Sequence, residues 1–114
     1  MALSEAIRQT IEEQLNAYCL RKVPLPYRNQ VRLNYKLRGD NVILSEEREA
    51  FRQPGVWVSI PIAQFRYAVD AGMWTLFSPD RNDRWHPYRY AEPARDLGAL
   101  LHALDTDKTG IFWG

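Results

Sequence analysis

The stretch that most constrains this chain runs from Phe65 to Tyr88, FRYAVDAGMWTLFSPDRNDRWHPY. Apolar and polar side chains alternate through it between two clusters of turn-forming residues. That is the pattern of short antiparallel strands, half buried against a core. A two-residue loop at Ala71-Gly72 predicts Asp70 facing Met73, Val69 facing Trp74 and Tyr67 facing Leu76. The other side of the hairpin then sets Arg66 opposite Phe77 and Ala68 opposite Thr75. A slip of one residue would carry every side chain to the wrong face. At the second turn Pro79, Asp80, Arg81 and Asn82 all suit a loop. A loop there predicts Leu76 against Trp85 on the inner face and Phe77 against Arg84 on the outer. Arg66, Phe77 and Arg84 are thus expected in a row across an open sheet face.

The flanking segments supply the rest of one sheet and its cover. Leu3, Ile7, Ile11, Leu15, Tyr18 and Cys19 recur at helical spacing between charged residues, with Ser4 as N-cap and Arg21-Lys22 at the negative end of the helix dipole. A helix over about 4–21 is expected, ended by Pro24-Leu25-Pro26. Val31, Leu33, Tyr35 and Leu37 alternate with Arg32, Asn34, Lys36 and Arg38, which predicts a strand with a basic outer face. Gly39-Asp40 forms its turn and brings Leu37 against Val42, Tyr35 against Leu44 and Arg32 against Glu47. Residues 46–53 are charged and read as an irregular loop, and Pro54-Gly55 is a turn. Val56 to Ile62 is β-branched, with Pro61 marking an edge, a bulge or a strand start. Beyond the AEPARD linker, Asp96 caps a short helix over about 97–106 carrying Leu97, Leu100, Leu101 and Leu104. The apolar tail 110–114 is expected to dock on the core or on a partner. This order predicts one α+β domain over 1–114, an antiparallel β-meander of about five strands with an N-terminal and a C-terminal helix packed on one face.

Length and composition set limits on function. A chain of 114 residues suits one core, and a formal net charge of +1 gives no overall electrostatic case for nucleic acid. A single cysteine, Cys19, excludes an internal disulfide and a cysteine-based zinc site and fits a reducing compartment. It lies on the apolar stripe of the first helix, where a buried, inert thiol is expected. No apolar run reaches the length of a membrane span, and the N-terminus lacks a basic-then-apolar signal pattern, so the cytoplasm is expected.

Three sets of residues carry candidate chemistry. Asp105 to Ile111 starts like a calcium loop, but the glutamate needed at its twelfth position falls beyond Gly114, so a helix C-terminus with Gly110 as a left-handed cap is expected. Asp80, Asp83 and His86 are suitable ligands for metal-assisted hydrolysis, yet both aspartates stand where turns ordinarily want them, and His86 is expected on the open face beside Thr75. No serine stands in a nucleophile elbow, no glycine-rich phosphate loop exists, and His102 is expected to be structural. The third set is the outer sheet face, where Arg32, Lys36, Arg38, Arg66, Phe77, Arg84, His86 and Tyr88 are expected together. Cations interleaved with rings are what single-stranded nucleic acid binders use, and they also occur on wet sheet faces for solubility and cation–π contact alone.

The segments QVRLNYKLRGDNVIL, PIAQFRYAVDAGMWTLFSPDRNDRWHPY and DTDKTGIFWG, with the N-terminal helix running into a Val-Pro segment, resemble a family of small bacterial proteins. The family is a domain of unknown function, number three thousand and twenty-four. The resemblance covers nearly the whole chain and implies a stand-alone bacterial domain to which the tail belongs; it carries over no catalytic residue. The expected function is a non-catalytic binding or protein-interaction module with no cofactor and no metal. Its alternatives are single-stranded nucleic acid binding through the basic-aromatic face and a metal-assisted hydrolase. A homodimer through an edge strand or the tail is open.

Overall fold

A computed structural model describes residues 3–113. The chain runs α1 (Glu5–Lys22), a 3-10 turn (Leu25–Tyr27), β1 (Val31–Arg38), β2 (Asn41–Glu49), β3 (Trp57–Ala68), β4 (Met73–Pro79), β5 (Trp85–Pro87) and α2 (Leu97–Thr106). The five strands form one antiparallel sheet in the order β1-β2-β3-β4-β5, a meander with both helices on one face. Ser4 caps α1 by accepting the Ile7 N–H at 3.3 Å, and Asp96 caps α2 by accepting the Gly98 N–H at 3.1 Å. Ile11, Leu15 and Tyr18 of α1 and all four leucines of α2 are buried against Val42, Leu44, Phe65, Trp74 and Leu76 of the sheet. Each fully buried Leu or Phe contributes about 1.5–3 kcal/mol. An exposed ion pair such as Arg32–Glu47, 2.9 Å apart, contributes at most about 1 kcal/mol. Packing therefore sets the register.

The β1–β2 ladder pairs Leu37 with Val42, Tyr35 with Leu44 and Arg32 with Glu47, as the alternation predicts. Gly39 supplies the positive φ of the turn at 59°. β2 continues to Glu49, which corrects the expected irregular loop over 46–53. Neither face of the hairpin arm is fully buried there, Glu46 and Glu47 being half-buried and Arg48 and Glu49 exposed, so charge on both faces is compatible with a strand. Glu46 pairs with Arg48 on one face and Glu47 with Arg32 on the other. Between β2 and β3 the register shifts: Leu44 faces Ala63 but Ser45 faces Pro61, so Ile62 is the surplus residue of a bulge beside Pro61.

Both hairpins of the 65–88 stretch differ from their expected register. Ala68 pairs with Met73 and Tyr67 with Trp74, joined by a four-residue connection over 69–72. The favoured two-residue loops need positive φ at their first central residue, here Ala71, whereas between Val69 and Gly72 only Gly72 (φ 65°) adopts it. The shift is by two residues, so the rings stay inside, but Arg66 faces Thr75 and Val69 is exposed in the turn. The second difference is odd-numbered and moves side chains between faces. Phe77 pairs with Pro87, Ser78 with His86 and Pro79 with Trp85. The Asp80 carboxylate fixes this longer turn by accepting the N–H groups of Asn82 (2.8 Å) and Arg84 (3.0 Å), while Asp83 takes φ 61°. Trp85 consequently shares the Phe77 face and Tyr88 enters the core, 6% exposed.

The tail docks through Asp107, the left-handed C-cap of α2. Its carboxylate accepts the N–H groups of Phe112 (3.1 Å) and Trp113 (2.9 Å), and the Trp113 indole donates to the Leu104 carbonyl at 3.1 Å. Phe112 is buried against Tyr88, ring centres 4.9 Å apart.

Candidate binding face

The sheet face away from the helices carries the outward residues of each strand, and the ladders set them in rows. Arg38, Asn41, Arg66 and Thr75 form one row; Lys36, Ile43, Gln64, Phe77 and Pro87 form the next. Further along the arm, Arg32 faces Glu47, which faces Ser59, and Glu49 faces Trp57. Of the residues expected on this face, Arg32, Lys36, Arg38, Arg66 and Phe77 are brought together on it. Arg84, His86 and Tyr88 are not. Arg84 lies in the β4–β5 turn, and Arg66 and Phe77 stand in adjacent rows, so the expected row does not form. His86 takes the opposite parity with Ser78, and Tyr88 is in the core, both consequences of the odd shift in the second hairpin.

Two arginines lie flat on rings. The Arg66 guanidinium sits 3.9 Å from the Phe77 ring centre, and the Arg32 guanidinium 3.9 Å from that of Trp57. Between these stacks lies a depression of about 290 Å³ lined by Asn34, Lys36, Ile43, Ser45, Glu47, Ser59 and Pro61. The bulge beside Pro61 bends β3 here, and small side chains at 45 and 59 leave the floor open. Lys36 and Arg38 are exposed and form no ion pair among the described residues, while Arg32 is matched by Glu47. The face therefore offers two cations unmatched among the described residues, two stacked guanidinium planes and a depression of mixed polar and apolar lining.

Trp57, Ser45 and Ser59 escape the sequence reading because residues 46–53 hide the β2–β3 pairing that puts them outward. Extending the alternation of β2 through its charged end would have exposed them.

The other candidate chemistry is dispersed. His86 Nε2 and Asp80 Oδ2 are 2.8 Å apart, and Asp80 spends its other oxygen on turn N–H groups. The His86 contact and these N–H groups hold the Asp80 carboxyl below the usual carboxylate range. Asp83 sits at a left-handed turn position and donates its N–H to the Asp80 carbonyl. Among the described residues no three His, Cys, Asp or Glu side chains are grouped to hold a metal ion. Asp105 accepts from Tyr18, Arg21 and Lys22 while Asp107 serves the tail, so the two carboxylates of the calcium-like stretch have separate duties. His102 is exposed on α2, and burial pushes the Cys19 thiol up to about 11. The larger trough of about 610 Å³ along Glu5, Arg8, Glu12 and Glu13 is the solvated charged flank of α1. No helix among the described residues is long and apolar enough to cross a membrane.

A family model described as Domain of unknown function (DUF3024) matches residues 3–114. No curated protein and no solved structure matches the chain.

Proposed function

Since the chain belongs to that family, whose description assigns no activity, we propose from its own geometry that it is a non-catalytic binding module working through the uncovered sheet face. The observation that carries this reading is a pair of cations with no ion pair among the described residues, Lys36 and Arg38, beside a depression flanked by the Arg32–Trp57 and Arg66–Phe77 stacks. Such a face suits an acidic segment of a protein partner: the cations meet carboxylates, and Ser45, Ser59 and Asn34 offer hydrogen bonds to its backbone. The near-neutral total charge favours a local protein contact over a long nucleic acid track. We place the module in the bacterial cytoplasm, on the resemblance above and on its single cysteine.

The test is capture from a bacterial lysate with the wild-type chain and with Lys36→Glu/Arg38→Glu. These side chains are exposed, so the variant keeps the fold. A partner retained by the wild type and lost by the variant supports the reading; equal capture by both overturns it.

Single-stranded nucleic acid is the second reading, favoured by one observation: guanidinium planes already stacked on rings present flat cationic surfaces to a base. Fluorescence anisotropy with a labelled mixed-sequence oligonucleotide decides it. Phosphate contacts make affinity fall steeply with salt. Binding that is absent, or insensitive to salt, sinks this second reading and leaves the protein partner.

A further inference from the structure

The first half of β3 has a neighbour on one side only. β2 pairs with β3 from Trp57 onward, whereas β4 joins it only at Gln64. Among the described residues nothing pairs with the other edge of Trp57–Pro61. The opposite border of the sheet, β1, is blunted by Arg32, Lys36 and Arg38, as natural edge strands commonly are. The stretch Val56–Ile62 has no charge at all. Val56, Val58 and Ile60 are 48%, 47% and 46% exposed, beyond the reach of the helices.

The direction of the free backbone groups follows from the turn. Val56 accepts the Ala50 N–H at 2.7 Å, so its carbonyl turns toward β2. Successive residues of an antiparallel strand alternate sides, so Trp57 and Ser59 turn their N–H and C=O groups outward. Pro61 follows in the same phase, where a missing N–H costs the β2–β3 ladder nothing.

We propose that this edge pairs antiparallel with the same edge of a second copy, about a two-fold axis through Val58. Trp57 then exchanges both backbone hydrogen bonds with Ser59 of the copy, and Ser59 with Trp57, so every outward group of these residues is satisfied. An axis through Ser59 would instead set Trp57 against Pro61, which has no N–H to return. The side chains obey the same symmetry: Val58 meets Val58, and Val56 meets Ile60. A palindrome of aliphatic residues on an uncharged edge selects a second copy over an unrelated strand. The two sheets become continuous, and the Arg32–Trp57 stacks flank the seam on the outer face.

Sedimentation velocity of the full chain over a dilution series tests this, with circular dichroism to verify folding of each variant. The wild type forms a dimer that dissociates on dilution. Val58→Lys sets like charges on the axis and raises the dimer dissociation constant about tenfold or more. In a Cys19→Ser background, Val58→Cys forms a disulfide dimer under mild oxidation, because residues facing each other as a non-hydrogen-bonded pair have Cα atoms about 4.5 Å apart, within disulfide reach. Ser59→Cys in the same background does not cross-link. A wild type that stays monomeric at every concentration overturns the proposal, as does a Val58→Lys dimer as tight as the wild type. Cross-linking at 59 and not at 58 overturns the register. Should Val58→Lys fail to fold, the cysteine pair still decides.

Discussion

The Arg66 guanidinium covers the Phe77 ring although the ladder sets neither residue opposite the other: Arg66 faces Thr75 and Phe77 faces Gln64. The contact is diagonal, within reach of a long side chain on one face of a sheet. Arg66 also donates to the Gln64 amide oxygen at 2.7 Å, so one side chain covers both a ring and a nearly buried amide. A double-mutant cycle of Arg66→Ala and Phe77→Ala, read by urea denaturation, is expected to give a coupling of about 0.5–1 kcal/mol. Additive effects would mean the stack contributes nothing to the fold.

Asp105 ties the two helices together. It accepts from the Tyr18 hydroxyl (2.9 Å), Lys22 (3.1 Å) and Arg21 (3.2 Å). Partial burial pushes its pKa up, but these donors outweigh burial and hold it below the ordinary carboxylate range. A folded pKa below the unfolded one gives stability that is complete above the unfolded value, about 3.9, and is lost as pH falls through the folded value. Asp105→Asn is expected to cost about 1 kcal/mol at neutral pH. Urea denaturation in acid should show the gap to the wild type closing; a gap independent of pH would assign the loss to shape alone.

Burial pushes the Cys19 thiol up to about 11 from an ordinary 9.0, so the native chain carries about a hundredfold less thiolate than the unfolded one near neutrality. A disulfide-exchange reagent should label the folded protein correspondingly more slowly than the urea-unfolded protein. Equal rates would place the sulfur in solvent. The same raised pKa makes the thiol's contribution to stability full below the unfolded value of 9.0 and eroded as pH climbs toward 11.

The docked tail contributes to stability through Phe112. Phe112→Ala removes a ring that is 6% exposed and packed on Tyr88, an expected cost of about 3 kcal/mol. Asp107→Ala, which frees two tail N–H groups to find water, is expected to cost less, about 1 kcal/mol. Chemical denaturation of both variants checks the order, and a Phe112→Ala chain as stable as the wild type would mean the tail adds nothing.

The sequence is most readable where one face of an element is dry. The stripe from Ile7 to Tyr18, the alternation of β1 and the leucines of α2 each face the core, and their apolar period gives type and facing together. Readability falls where chain geometry outweighs burial. Ala71-Gly72 resembles a tight hairpin, but alanine does not take the positive φ that its loop would ask of it. At the second turn the Asp80 carboxylate holds a longer connection, and three residues of offset carried Trp85 outward and Tyr88 inward. His86 and Tyr88 left the expected surface for that one reason. Neither face of the arm is fully buried, so Glu46 to Glu49 show no period and their strand is hidden. The candidate face was therefore legible on β1 and at Arg66 and Phe77, while its floor at Ser45, Ser59 and Trp57 was not.

Ile62, the residue left over where β3 meets β2 out of step, separates two regimes of inheritance. Toward Phe65 a changed side chain enters the packed interior, and the chain either tolerates it or fails to fold. Toward Trp57 a change alters only what the arm presents, since no residue of β3 before Ile62 belongs to the core. Descendants of this sequence can thus rewrite the arm while keeping the scaffold, so one architecture is able to acquire new recognition by drift at its far end.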